Sequence, residues 1–380
     1  MKLPAFKLER FFAKYEFKAP YLLSSSDCEA MTIEELLSLE PDATQRFHQT
    51  WLGYTETQGN PELRQVIAQT YQTIGIENTL VHAGAEEAVF IFMNVALQPG
   101  DHLIVHFPCY QSHSSIAQSI GCEVSWWMSR EADSWELDLD WLRGAIQPNT
   151  KAIVINCPHN PTGYVMSRAK LEELIVICRK HKLLLFSDEV YRFLEYRDED
   201  TLPAACDLYE NAVSLGVMSK AYGLAGLRIG WIATHNQEIY QAMAEFKDFT
   251  SICSSAPSEF LSTLALRNRD KIIQRNRAII AANIEICNGF FSRYADFFNW
   301  TAPKGGSTAF PSLRQAENVE EFCINLVNQQ GVLLLPSTYF DYGEKNFRIG
   351  LGRRNLPECV DKLDNYLKAS AASQRPYIRL

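Results

Sequence analysis

A lysine held at the end of an apolar strand is the first group in this sequence suited to covalent chemistry. The run Ala212 to Met218 delivers Ser219 and Lys220 to its end, and a glycine-punctuated segment carrying Arg228 follows. At the rim of a buried sheet, desolvation and nearby cations lower a lysine's pKa and make its amine nucleophilic, the setting of a Schiff-base lysine. Gly223, Gly226 and Gly230 would let the backbone approach a bulky ligand, and Arg228 offers a planar cation suited to phosphate. Taken alone, a lysine at a strand end as readily reaches solvent.

Three further stretches point the other way. Gly84, Ala85 and Glu86 join a strand to a helix, so their amides sit at a helix N-terminus, ready for an anion. Pro158, His159, Asn160, Pro161, Thr162 and Gly163 follow another strand. The prolines fix that turn, Asn160 can donate to a ligand's phenolic oxygen, and His159 reads as a packing residue. Ser187, Asp188, Glu189, Val190 and Tyr191 end the apolar strand that begins at Leu183. A carboxylate there is costly without a cationic partner, and a buried ligand nitrogen would supply one, whereas Glu189 reads as solvated.

The elements that must position these residues are short apolar strands alternating with helices from Thr79 onward. We read strands near 79 to 82, 102 to 107, 122 to 128, 151 to 157, 183 to 187, 211 to 217 and 228 to 234. The pattern predicts an α/β fold with a mainly parallel sheet covered on both faces. Ligands of such sheets collect at the carboxyl ends of the strands, where the Gly84 loop, Tyr110, Asn160, Asp188 and Lys220 all fall. A helical region from Asp270 to about Tyr294 should bridge to a second, smaller domain, with strand-like segments at 298 to 304, 307 to 313, 332 to 336 and 346 to 351. Upstream, Leu8, Phe11, Phe12 and Tyr15 fall at helical spacing and predict a short helix packed on the body or on another subunit. Ser24, Ser25 and Ser26 make a polar loop that could face a ligand. Thr32 with Glu35 forms a capping box, and Asn60 with Pro61 opens an amphipathic helix burying Leu63, Val66, Ile67 and Ile74. Tyr377 and Ile378 could dock the tail.

Composition bounds the remaining classes. The 380 residues, 47% hydrophobic and 21% charged, exclude a disordered or fibrous chain, and no apolar run is long enough to cross a bilayer. A net charge of -9 without a basic run argues against a nucleic-acid partner. The ten cysteines include no two-residue-spaced pair, which is poor for a metal site and unlike a secreted disulfide framework. With no signal-peptide core at the start, the expected location is cytoplasmic.

On these residues the chain resembles the class I and II aminotransferases of the fold-type I pyridoxal phosphate enzymes, from about Tyr54 to Leu367. The N-terminal part, with its three serines, is loosely similar to the capreomycidine synthase branch. The resemblance implies a three-layer α/β/α large domain like that of aspartate aminotransferase, over 46–296. It also implies a smaller α/β domain over 297–380, with residues 1–45 as a segment packing against it. It further implies that Lys220 carries pyridoxal 5'-phosphate as an aldimine, that Asp188 pairs with the pyridine nitrogen, and that Asn160 and Tyr191 hold the phenolic oxygen. Tyr110 would stack on the ring, and Gly84, Ala85, Glu86, Ser219 and Arg228 would hold the phosphate. Tyr54 would reach that phosphate from the neighbouring subunit of a homodimer, and Arg348 would clamp the substrate's α-carboxylate. The implied activity moves the amino group of an α-amino acid to a 2-oxo acid. A β-lyase, decarboxylase or cyclase would use the same residues, and a cofactor-sensing regulator is the non-enzyme alternative. Two positions depart from the pattern: Glu86 stands where a small hydroxyl or other polar phosphate ligand is usual, and Val217 where small residues are.

Overall fold

The organising element is a sheet of β1 (Thr79–His82), β2 (His102–Phe107), β3 (Glu123–Met128), β4 (Thr150–Asn156), β5 (Leu184–Asp188), β6 (Ala212–Val217) and β7 (Gly230–Thr234). Their spatial order is β1-β7-β6-β5-β4-β2-β3. The contiguous strands from β6 to β3 run parallel, whereas β7 is antiparallel to both β6 and β1. The central strands are buried at nearly every position because helices cover both faces, and their middles are apolar runs such as Ala152–Ile155 and Leu184–Phe186. Helix Ala85–Ala96, for example, buries Val89, Phe92 and Met93, and Phe92 packs on Phe186 of β5. This computed structural model describes residues 2–314 and 318–372, so Tyr377 and Ile378 lie outside them. Among the described residues no helix is long and apolar enough to cross a membrane.

Local chemistry sets the element ends. The Thr32 and Glu35 capping box forms in full, with Glu35 N donating to Thr32 Oγ1 at 3.1 Å and Thr32 N to Glu35 Oε2 at 2.7 Å. Asn60 Oδ1 caps helix Pro61–Ala68 by accepting from Glu62 N. The strand read at 228 starts two residues later. Arg228 takes φ 52° after the turn Ala225–Leu227 and is not a strand residue.

Beyond the long helix Arg269–Arg293, short strands Phe298–Asn299, Thr308–Ala309, Ser312–Leu313, Leu335–Pro336 and Phe347–Gly350 make two small sheets. The N-terminal helix Lys7–Tyr15 ties into this region, with Lys7 Nζ 2.5 Å from Asp341 and Phe11 against Tyr339. It also reaches the turn that follows β2, where Lys7 N donates to Gln111 Oε1. The next short helices, Ile33–Leu37 and Ala43–His48, lie beside helix Ala256–Arg267, with the Phe47 and Phe260 rings 5.8 Å apart.

Candidate active site

Strand register brings the polar residues together. Asn156, Asp188 and Leu215 are neighbours at the carboxyl ends of β4, β5 and β6, so the turns leaving these strands open onto one space. That space is a cavity of about 400 Å³. Ala85, Glu86, Tyr110, Asn160, Asp188, Tyr191, Ser219, Lys220, Arg228 and Arg348 all line it. Of the residues read from sequence, Gly84 lies just behind the wall. Tyr54 does not reach this cavity: it is 84% exposed, beside Trp51 at 77% and Leu52 at 80%.

The lysine is held rather than free. Lys220 Nζ donates to Ser26 Oγ at 2.8 Å, and burial holds its amine below the ordinary lysine value. Arg348 pushes in the same direction, while Asp27, Asp188 and Glu9 oppose it. More neutral, nucleophilic amine is therefore present at a given pH than for an exposed lysine.

Asp188 ends β5 with both oxygens engaged. Oδ1 accepts from Val190 N at 3.1 Å, and His113 Nε2 lies 3.1 Å from Oδ2. Glu189 is not solvated as its sequence position suggested. Side chains alternate across a strand end, so it turns to the opposite side, where Oε1 accepts from Ala205 N at 2.9 Å and Ser214 Oγ at 2.7 Å. Burial raises its pKa.

The anion cradle depends on close backbone approach. A Cβ on Gly230 would lie 2.7 Å from the carbonyl carbon of Gly84, and one on Gly84 would lie 2.5 Å from Arg228 Nη2. The left-handed turn at Arg228 thus brings its guanidinium beneath the start of helix Ala85–Ala96, whose first amides have no intrahelical acceptor. The glycines serve backbone more than ligand: Gly223 packs against Glu29, and Gly226 faces open space. Glu86 turns its carboxyl onto Ser112 Oγ at 3.0 Å, and burial raises its pKa, which favours the neutral form.

Arg348 is buried at 2% exposure. Its Nε and Nη2 donate to Ser24 O at 3.1 and 2.9 Å, and Nη1 donates to Asn160 Oδ1 at 3.1 Å. Further N–H bonds on Nη1 and Nη2 remain for a carboxylate, and the amide nitrogen of Asn160 remains for a second acceptor. Tyr110 donates its hydroxyl to Glu9 at 2.8 Å. His159 is a packing residue, stacked on His106 and bonded to Pro108 O.

Sequence reasoning missed several lining residues. Ser25 and Ser26 line the cavity, in keeping with the polar loop read as facing a ligand, but Glu9, Phe12 and Glu16 of the N-terminal segment and Asp27 and His113 were not read as site residues. Of these five only His113 carried a usable signal, since it stands one helical turn after Tyr110.

Residues 20–363 match the aminotransferase class I and II family, and the chain belongs to it. It is 27% identical to capreomycidine synthase of Streptomyces vinaceus over 377 residues, covering 98% of this chain and 96% of that one. A solved pyridoxal phosphate-dependent aminotransferase from Streptococcus suis 89-1591 superposes with a TM-score of 0.91 at 32% identity, covering 97% of this chain and 99% of that one. The pyridoxal phosphate-dependent cyclase OrfR superposes at 0.90 with 26% identity, covering 98% and 99%. The fold is that of the fold-type I enzymes. The chain is a pyridoxal phosphate-dependent transferase, and pyridoxal phosphate is its cofactor.

The cavity fits that group on its own chemistry. It offers a buried amine, a buried carboxylate and an anion cradle with its own guanidinium. Tyr191 adds a fully buried hydroxyl that makes no hydrogen bond among the described residues. An orphaned buried hydroxyl costs about 1–3 kcal/mol, so a ligand oxygen at that point would relieve it.

Proposed function

We propose that this protein is an aminotransferase that moves the amino group of an α-amino acid to a 2-oxo acid. The observation that carries the reading is the convergence of Lys220, Asp188, Arg228 and Arg348 on one cavity. When bound, pyridoxal phosphate supplies an electron sink that stabilises negative charge at the substrate's α-carbon. Lys220 would hold the cofactor and, when freed, take the α-proton on Nζ and return it. Asp188 would keep a proton on the ring nitrogen, with His113 and Val190 N fixing the carboxylate's orientation. Asn160 and Tyr191 would hold the phenolic oxygen, and Tyr110 would pack on the ring. Ser219, Arg228 and the Gly84, Ala85 and Glu86 amides would hold the phosphate, Glu86 through its backbone. The divisions 1–45, 46–296 and 297–380 would meet at this cavity, each lending it residues, so closure of the smaller domain would exclude water.

Arg348 would receive the α-carboxylate in a planar fork. Lysine cannot reproduce that geometry, so Arg348→Lys and Arg348→Ala should both raise KM for an amino acid substrate, the alanine more. The cofactor should stay bound and coloured, while in the alanine variant the pH dependence of its absorbance should move upward, since Arg348 is bonded to Asn160 and its charge lowers the Lys220 pKa. Steady-state kinetics and an absorbance scan check both halves. Unaltered kinetics with several amino acids would leave the clamp unassigned.

We also propose a homodimer in which Tyr54 reaches the partner's phosphate site. The exposed Trp51, Leu52 and Tyr54 support it, because an apolar patch of this kind is suited to an interface. Tyr54→Phe should weaken cofactor retention by about 1.5–3 kcal/mol, one hydrogen bond to a charged acceptor. Light scattering with activity on dilution tests the assembly, and a fully active monomer would refute it. Transfer of the donor's amino nitrogen to an added 2-oxo acid, with the donor recovered as the 2-oxo acid that keeps its whole side chain and no ammonia released, distinguishes transamination from lyase, decarboxylase or cyclase chemistry at the same residues.

A further inference from the structure

We propose that Arg353 is a positioning residue for the reacting lysine, holding the Asp27 carboxylate away from Lys220 so that the amine stays free of an ion pair. The inference rests on Lys220 as the group that takes the cofactor and holds whichever reaction follows.

Residues 23–29 run between the lysine and the short strands near the C-terminus. On one side they are laced to those strands: Gly350 N donates to Leu23 O at 2.6 Å, Ser307 Oγ to Ser26 O at 2.7 Å, and Glu29 N to Gly352 O at 2.8 Å. The two backbones pass so close that a Cβ on Gly352 would lie 2.4 Å from Asp27 O. On the other side the segment touches the lysine twice. Ser26 Oγ accepts from Lys220 Nζ, and Cys28 N donates to Lys220 O. Asp27 stands between those two contacts, so its backbone is fixed beside Lys220 and only the direction of its side chain remains to be set.

Arg353 sets that direction. Its Nη2 reaches Asp27 Oδ1 at 2.9 Å and Oδ2 at 2.8 Å, which engages both oxygens. Lys220 makes no ion pair among the described residues, although Asp27 lines the same cavity. An unclaimed carboxylate beside a buried ammonium would pair with it, since buried charges are costly alone. Asp27 is already the charge that bears most on Lys220, ahead of Arg348, Asp188 and Glu9. Arg228, Glu16, Glu86 and His113 face the cavity from its other walls. Among these acids Asp27 is the one held by an arginine, whereas Glu86 is bonded to Ser112 and Asp188 to Val190 N and His113. Loss of Arg353 would let the Asp27 carboxylate turn to Nζ. A cation that gains a carboxylate has its pKa raised, so less neutral amine would be present at a given pH.

The test reads the lysine itself. In the full-length chain freed of cofactor, labelling of Lys220 with acetic anhydride across a pH series, followed by mass spectrometry, gives the midpoint at which its amine becomes reactive. Arg353→Met should move that midpoint up by about 1 pH unit and slow labelling below it about tenfold. Asp27→Asn, which keeps the side chain's shape without its charge, should move it down. The double variant should match Asp27→Asn, and Arg353→Lys should stay near the wild type. In the holoenzyme the pH dependence of the cofactor's absorbance should move in the same directions. An arginine acting on Lys220 by its own charge would raise the midpoint as much without Asp27 as with it. An ion pair that only braced the segment would shift both single variants alike. Either pattern, or an unmoved midpoint in Arg353→Met, would overturn the proposal. Should Arg353→Met melt early, Arg353→Gln carries the same test. Labelling needs neither cofactor nor substrate, so its result stands whether or not amino transfer is observed, and a Lys220 that takes no cofactor would overturn the site reading instead.

Discussion

Lys220→Ala should lower kcat at least about a thousandfold, because in the proposed reaction one side chain would both hold the cofactor and move the substrate's proton. The wild-type protein with pyridoxal phosphate should be yellow. Borohydride reduction should fix the cofactor's mass on the peptide carrying Lys220, and the variant should gain no such mass. Ser26 and burial set the resting amine: its hydrogen bond to Ser26 Oγ orients Nζ, and desolvation favours the neutral, nucleophilic form. Ser26→Ala should then slow reattachment of the cofactor far less than loss of the lysine. A wild-type protein that stays colourless with added cofactor, or a reduced adduct on another lysine, would sink the assignment.

The strands and the residues at their ends were legible because the information is local. A short apolar run such as Leu183 to Phe186 in an alternation of strands and helices reads as a strand buried on both faces, and the rule that ligands gather at strand carboxyl ends then places Asp188, Asn160 and Lys220 together. What was not legible depends on chain segments far apart in sequence. Glu9 and Phe12 lie over a hundred positions from the residues they face, and their helix reads from sequence as an ordinary amphipathic one. Its buried face, Leu8 and Phe11, was found; that its flank closes the cavity follows only from where the helix docks.

Arg228 and Glu189 went astray for related reasons. A strand pattern extrapolates smoothly through Leu227 and Arg228, and nothing local announces that Arg228 turns left-handed to bring its guanidinium beneath Gly84. Glu189 looked solvated because it follows the strand. Its partner Ser214 lies in the neighbouring strand, and that pairing is invisible in the linear chain.

Asp188→Asn should retain the cofactor, since Lys220 and the phosphate cradle are untouched, yet lose about 10²- to 10³-fold in turnover, the range for removing one partner of a buried charge pair. The other carboxylates nearby cannot stand in. Glu189 is committed to Ala205 N and Ser214 Oγ on the far side of the strand end, and Glu86 is held by Ser112 with burial favouring its neutral form. An amide fits the same volume and can still accept from Val190 N, but its nitrogen would then face His113 Nε2 and it carries no charge to hold a proton on the ring. Charge and shape can be separated. A cofactor analogue methylated at the ring nitrogen carries its positive charge without a proton, so it should recover part of the lost turnover in Asp188→Asn and little in the wild type. Half-reaction rates with an amino acid, measured for both proteins with both cofactors, make the comparison. His113→Gln should cost less than Asp188→Asn, because the histidine only orients a carboxylate that Val190 N also holds. Near-normal turnover in Asp188→Asn with the natural cofactor would show that the ring nitrogen's charge is held by another group.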